Sequence, residues 1–202
     1  EVSKANPYDF TLSDETAGDY TAVYERKATL DKLEFTLNDD GETYSVKALN
    51  TDIEGEVVIP STYMGKSVTN TADSAFSWCG SLTSVIIPNG VTNLGKKAFY
   101  DCDSLKSVTI PDSVTSIGDF AFCECSSLIS ITIPNSVTSM GKSAFYNCSS
   151  LTNIIISNSV TSIGDSAFRY CSSLTNIIIP NSVTSIEEYA FNECSKIGRA
   201  HV

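Results

Sequence analysis

A solenoid of stacked 23-residue units is the fold class that three observations predict, with short parallel strands on one face and turns and short helical or 3-10 turns behind. Cys79, Cys102, Cys125, Cys148, Cys171 and Cys194 recur every 23 residues. Phe76, Phe99, Phe122, Phe145, Phe168 and Phe191 share that period, each preceded by alanine. Between them a short apolar segment repeats, so one unit reads C-x-S-L-x-x-[VI]-x-I-P-N-S-V-T-x-I-G-x-x-A-F-x-x. A fixed period of this length is the signature of a repeat architecture.

Within a unit the strand comes first. Val85 and Ile87, and their counterparts up to Ile177 and Ile179, alternate with outward residues, the pattern of a half-buried strand. Pro88, Pro111, Pro134 and Pro180 end it, and the Asn or Asp and Ser or Gly that follow are turn residues. Gly95, Gly118, Gly141 and Gly164 are expected to let the chain bend again before the Ala-Phe element. That element is expected to form a single helical or 3-10 turn across the back. One unit buries too few apolar side chains to offset the entropy lost in ordering its backbone, so neighbouring copies must share a continuous core.

The ends depart from the period. Residues 31–53 alternate Leu33, Phe35, Leu37 and then Tyr44, Val46, Ala48 around Asp40-Gly41, which predicts a β-hairpin capping the first repeat. The solenoid is expected over 54–197, beginning with "VVIP" at 57–60 as a degenerate unit and a five-residue insertion around "STYMGKS". Residues 1–30 are acidic and aperiodic, and are expected to be a linker or the remnant of a preceding domain. After Cys194 the repeat is abandoned in "KIGRAHV", so 198–202 is expected to be a non-native tail on a longer natural protein.

Charge narrows the partners. The net charge is −11, of which residues 1–60 carry −9 (14 acids, 5 basic residues) and residues 61–202 carry −2 (10 and 8). An acidic chain without basic stripes repels phosphate backbones, so no nucleic-acid partner is expected. No run of about 18 apolar residues occurs, so no membrane insertion is expected, and the N-terminus lacks the basic-then-apolar order of a signal peptide.

The cysteines are the first candidates for chemistry. Stacked strands lie about 4.7–4.9 Å apart with parallel side chains, whereas a disulfide needs converging Cβ atoms about 3.8 Å apart. The ladder therefore predicts buried free thiols, and without any C-x-x-C no metal site is expected. Cys123 is off the grid. Its position otherwise holds Ser77, Tyr100, Tyr146, Arg169 and Asn192, which predicts a partly exposed thiol. Catalysis finds little support, because the single histidine, His201, sits in the expected tail and no other base is evident. Asp39-Asp40 and Glu187-Glu188 read as solvated turns, and "NDDGE" lacks the spacing of a calcium loop. No cofactor is expected. Lys96, Asp119, Lys142 and Asp165 alternate in sign at the repeat spacing and are read as a register device.

The remaining candidate is the open face of the strands. With Val85 and Ile87 inward, two outward columns form: Ser84, Ser107, Ser130, Asn153, Asn176, and Ile86, Thr109, Thr132, Ile155, Ile178. These ten residues read either as a ligand-binding strip or simply as a face suited to β-structure. Tyr100, Tyr146 and Tyr170 form a rival patch near the Ala-Phe turn.

The unit resembles the leucine-rich repeat L-x-x-L-x-L-x-x-N-x-L, with Gly90, Ser113, Ser136, Ser159 and Ser182 at the Asn position. Stretches such as CSSLTNIIISNSVTSIGDSAF (148–168) are similar to the BspA-like, or Treponema pallidum-type, subclass, over about residues 54–197. That resemblance implies a leucine-rich-repeat solenoid in a cell-surface or secreted protein of bacteria or some protists. It implies a non-catalytic adhesion module whose partner is a host or microbial surface protein or glycan, and it supplies no catalytic residue; the chain is expected to be monomeric. Two other roles stay open: a structural spacer presenting another domain, and the accessory repeat region of a larger enzyme.

Overall fold

Residues 30–197 are described by the structure, a computed structural model. Of the expected leader only Leu30 falls within them, and 198–202 with His201 lie outside. The described chain opens on an antiparallel hairpin of β1 (Leu33–Leu37) and β2 (Thr43–Ala48), in register from Leu33 opposite Ala48 to Leu37 opposite Tyr44. Asp40 ties its turn, its carboxylate accepting the Glu42 and Thr43 amides at 2.8 and 2.9 Å and the Thr43 hydroxyl at 2.6 Å. After β3 (Gly55–Val58), the five extra residues fold into a second hairpin between β4 (Thr62–Tyr63) and β5 (Lys66–Thr71). Met64 and Gly65 at its tip have φ of 48° and 78°, the left-handed pair that a two-residue hairpin turn demands. Tyr63 stacks on Phe35 with centroids 4.0 Å apart and meets Tyr44 edge-on, so the insertion folds over the first hairpin.

Each later unit contributes two short strands, where the sequence indicated one. They are β6 (Leu82–Ile86) and β7 (Asn93–Leu94), β8 (Ser107–Thr109) and β9 (Ser116–Ile117), β10 (Ser130–Thr132) and β11 (Ser139–Met140). Then follow β12 (Asn153–Ile155) and β13 (Ser162–Ile163), β14 (Asn176–Ile177) and β15 (Ser185–Ile186). The even-numbered strands from β6 onward are those expected, and with β3 they form two parallel sheets, β3-β6-β8 and β10-β12-β14. The odd-numbered ones continue from the hairpins as β1-β2-β5-β7-β9-β11-β13-β15, a second side of the solenoid. Threonine hydroxyls reinforce this side: Thr115 donates both its amide and its Oγ1 to the Thr92 carbonyl, at 2.9 and 3.1 Å. At the Asn position of the repeat, the hydroxyls of Ser113 and Ser182 donate to the Val91 and Val160 carbonyls at 2.7 Å.

The Ala-Phe element is a chain of overlapping turns. Its amides alternate in direction. Those of Ala98 and Tyr100 close turns onto Gly95 and Lys97, while those of Lys97, Phe99 and Asp101 reach the carbonyls of Asp119, Ala121 and Cys123 in the next unit. This third ladder satisfies nearly every amide of a segment that is neither helix nor strand. It requires left-handed backbone at two positions per unit, such as Lys97 and Asp101 (both φ 58°) and Phe120 and Glu124 (58° and 64°). None is glycine, so each costs on the order of 1 kcal/mol, held by the ladder around it. The glycines at 95, 118, 141 and 164 serve closeness instead of bending. A Cβ on Gly118 would lie 2.8 Å from the Gly95 carbonyl carbon, and one on Gly95 would lie 2.5 Å from the Ala72 oxygen.

The core runs the length of the stack. Phe76, Phe99, Phe122, Phe145, Phe168 and Phe191 form one column of nearly parallel rings, 5.2 to 5.4 Å apart and within 7° of coplanar orientation. The offset-stacked arrangement is the one favoured by ring quadrupoles. Leu82, Leu105, Leu128, Leu151 and Leu174 are wholly buried beside it, as are Val91, Val114, Val137 and Val160.

Candidate binding surfaces

Seven thiols lie within the described residues, all free and all buried. The ladder cysteines are more than packing. Each from Cys102 to Cys194 places Sγ 3.0–3.1 Å from the carbonyl oxygen of the phenylalanine one unit earlier, Cys102 on Phe76 through to Cys194 on Phe168. Sequence spacing located the column but gave no sign of this bond. Burial pushes the thiols of Cys79, Cys125, Cys148, Cys171 and Cys194 up, Cys79 to about 12, so none of these five is poised as a thiolate nucleophile.

Cys123 corrects an expectation. It is 4% exposed, and lines a recess together with Lys97, Tyr100, Phe120 and Tyr146. Burial, and then the neighbouring Glu124 carboxylate, raise its thiol to about 12, against a smaller opposing pull from Lys97.

Among the described residues no group of three or more His, Cys, Asp or Glu could hold a metal ion. Asp40 is committed to its turn and Glu187 accepts from Ser185 at 3.0 Å. Of the alternating charged column, Lys142 pairs with Asp165 at 2.8 Å, and hydrogen bonding between them lowers Asp165 and raises Lys142. Asp73 and Asp119 instead accept the backbone amides of Lys96 and Lys142, at 2.8 Å each.

The ten outward residues of the even strands share one face. Ser84 pairs opposite Ser107 and Ile86 opposite Thr109; Ser130, Asn153 and Asn176 align, as do Thr132 and Ile155. Ser107, Thr109, Ser130, Thr132, Asn153, Ile155, Asn176 and Ile178 are exposed, with Ile178 just past β14, while Ser84 is half-buried and donates to Glu56 at 3.2 Å. A neighbouring column, with Lys106, Ile129, Thr152 and Thr175 exposed, faces outward too and went unnoticed in the sequence. Ile129 is 51% exposed and Ile155 55%, so the face carries a broken row of bare isoleucines on a nearly uncharged sheet. The Ile129 amide reaches the Lys106 carbonyl at 3.4 Å, bridging the step between the two sheets.

A second surface lies over the turn ladder. Trp78 meets Tyr100 edge-on at 5.4 Å, and Tyr146 meets Tyr170 likewise. The Lys97 ammonium sits 5.0 Å from the Tyr100 ring centre, and the Arg169 guanidinium 4.8 Å from that of Tyr170 and 5.3 Å from that of Tyr189. Between the two aromatic pairs the small Cys123 leaves a recess of about 370 Å³, lined by Lys96, Lys97, Tyr100, Phe120, Cys123, Glu124, Ser143 and Tyr146. The sequence marked three of these tyrosines, but not Trp78, the recess or the paired cations.

Comparison with known proteins gives a consistent outcome. Residues 69–198 match the model of a family described as a BspA-type leucine-rich repeat region, in six copies. A leucine-rich repeat protein of T. pallidum has a similar structure, with a TM-score of 0.71 and 26% identity over 84% of this chain and 89% of that one. A leucine-rich cell surface protein of Faecalibacterium prausnitzii is similar at a TM-score of 0.60 and 34% identity over 83% of this chain. One from Bacteroides ovatus is similar at 0.61 and 27% identity, also over 83%. The chain spans about half the length of these last two, 52% and 51%. No curated protein matches it.

Proposed function

This chain belongs to the BspA-type leucine-rich repeat family, and from that membership we propose that it is a non-catalytic, protein-binding adhesion module of a bacterial surface or secreted protein. It engages its partner through the outward face of the even-numbered strands. The observation that carries this reading is the exposed isoleucines of that face, Ile86, Ile155 and Ile178 in one column and Ile129 in the neighbouring one, set among hydroxyl and amide side chains. Bare β-branched side chains at regular spacing on a rigid sheet favour a macromolecular partner, which can cover many columns at once. Family membership supports a binding role, as leucine-rich repeats are typically interaction modules. A surface location is in keeping with the similar Faecalibacterium prausnitzii protein, described as a cell surface protein. Among the described residues no helix is long and apolar enough to cross a membrane. The module acts as a monomer presenting this face.

The test is surface plasmon resonance of the chain over immobilised fibronectin, fibrinogen, laminin and collagen. Replacing Ser107, Thr109, Ser130 and Thr132 together by arginine is expected to abolish the strongest signal. Undiminished binding by that variant would rule out this face.

A further inference from the structure

The recess over Cys123 has a chemistry unlike that of the isoleucine face. Its two walls are aromatic, Tyr100 braced by Trp78 and Tyr146 braced by Tyr170, so neither ring is free to close the gap. Tyr100 and Tyr146 are rooted two units apart, about twice the 5.2–5.3 Å between the phenylalanine rings beneath them. The Lys97 ammonium lies over Tyr100 on one side, so the recess offers the bare aromatic face of Tyr146 on the other.

The polar groups of the recess narrow the ligand further. Lys96 and Lys97 donate, Glu124 accepts and is fixed by the Asn147 amide, and Ser143 contributes a hydroxyl. The charged side chains of the lining are Lys96, Lys97 and Glu124. Mixed donors and acceptors suit hydroxyl groups, which both give and take hydrogen bonds. A phosphate or carboxylate ligand would meet Glu124, and a cationic ligand would meet Lys97 already seated over Tyr100 and Phe120.

We propose that the recess between Tyr100 and Tyr146, floored by Cys123, is a subsite for a neutral pyranose residue of a glycan. One apolar face of the sugar lies against Tyr146, and its hydroxyls bond to Lys97, seated over Tyr100 and Phe120, and to Glu124 and Ser143. Cys123 matters by being small: a tyrosine there, as in the units on either side, fills the site.

Trp78 is the only tryptophan and touches Tyr100, so its fluorescence reports occupancy. The whole chain is titrated with maltohexaose, cellohexaose, mannohexaose and chitohexaose. At least one is expected to give a saturable change with a dissociation constant below about 1 mM. Cys123→Tyr and Tyr146→Ala should each weaken it at least tenfold, while Thr132→Arg on the isoleucine face should leave it unchanged. Circular dichroism checks folding, and Tyr146→Ala stands in if Cys123→Tyr misfolds. No saturable response to any of the four sugars overturns the proposal. So does unaltered affinity in Cys123→Tyr, or a recess that captures a protein in preference to every sugar.

Discussion

Cys125 Sγ lies 3.0 Å from the carbonyl oxygen of Phe99, one unit earlier in the stack. The same carbonyl faces the core, beside a ring that is itself sandwiched between Phe76 and Phe122. The thiol therefore both fills space and joins consecutive units. Cys125→Ala removes the donor and leaves a small cavity, and is expected to destabilise by about 1–3 kcal/mol. Cys125→Ser, which restores a donor, should fall closer to the wild type. Urea denaturation of the three proteins checks the order; equal losses would mean that the bond contributes nothing.

Gly118 tests whether the stack needs bare backbone. A Cβ there would press on the carbonyl carbon of Gly95 and the amide of Lys96, both 2.8 Å away, and backbone cannot rotate aside. Gly118→Ala should cost about 1–3 kcal/mol, the range for overpacking. At Gly80 a Cβ would meet nothing within 4 Å, and Gly80→Ala should stay within about 0.5 kcal/mol of the wild type. Thermal melts of the pair separate crowding from glycine content.

Ser157 stands where four other units carry proline, and its buried hydroxyl has no hydrogen-bond partner. Ser157→Pro removes that orphan and restricts the unfolded chain, so a gain of about 0.4–1 kcal/mol is expected. The melting temperature should rise; a fall would show that the Ser157 backbone differs from that at its proline counterparts.

Asp40 sets a pH dependence in the first hairpin. Hydrogen bonds from the Thr43 hydroxyl and from the Glu42 and Thr43 amides hold its carboxyl below its ordinary value. A depressed acid contributes above its unfolded pKa, and the contribution is lost as pH falls through the folded one. The Thr43 amide resonance should therefore keep its native position down to pH values below about 3.9 and then shift. In Asp40→Ala that transition should be missing, and the Glu42 and Thr43 amides should exchange faster at neutral pH.

Much of this architecture is legible in the residues. The period, the inward Phe, Leu and Cys columns and the outward direction of Thr109 and Thr132 all follow from identities repeated 23 apart. The second strand ladder does not, because pairs such as Ser116-Ile117 are too short to show alternation. The left-handed turns are equally silent: Lys97 and Phe120 carry none of the glycine or asparagine signals that usually mark positive φ. Gly118 was visible as a conserved step of the repeat unit within this chain, but its reason, contact with Gly95, exists only once units are stacked. The burial of Cys123 is silent for the same cause, since Tyr100 and Tyr146, which line the recess with it, belong to other units.

The central claim is that the outward face of the even strands, and not the turn side, meets the protein partner. Binding constants for Thr132→Arg and Tyr146→Ala against whichever matrix protein binds the wild type test it most directly. Thr132→Arg should weaken binding by about tenfold or more, with Tyr146→Ala within about twofold of the wild type. The reverse order, with Tyr146→Ala impaired and Thr132→Arg intact, would contradict the account.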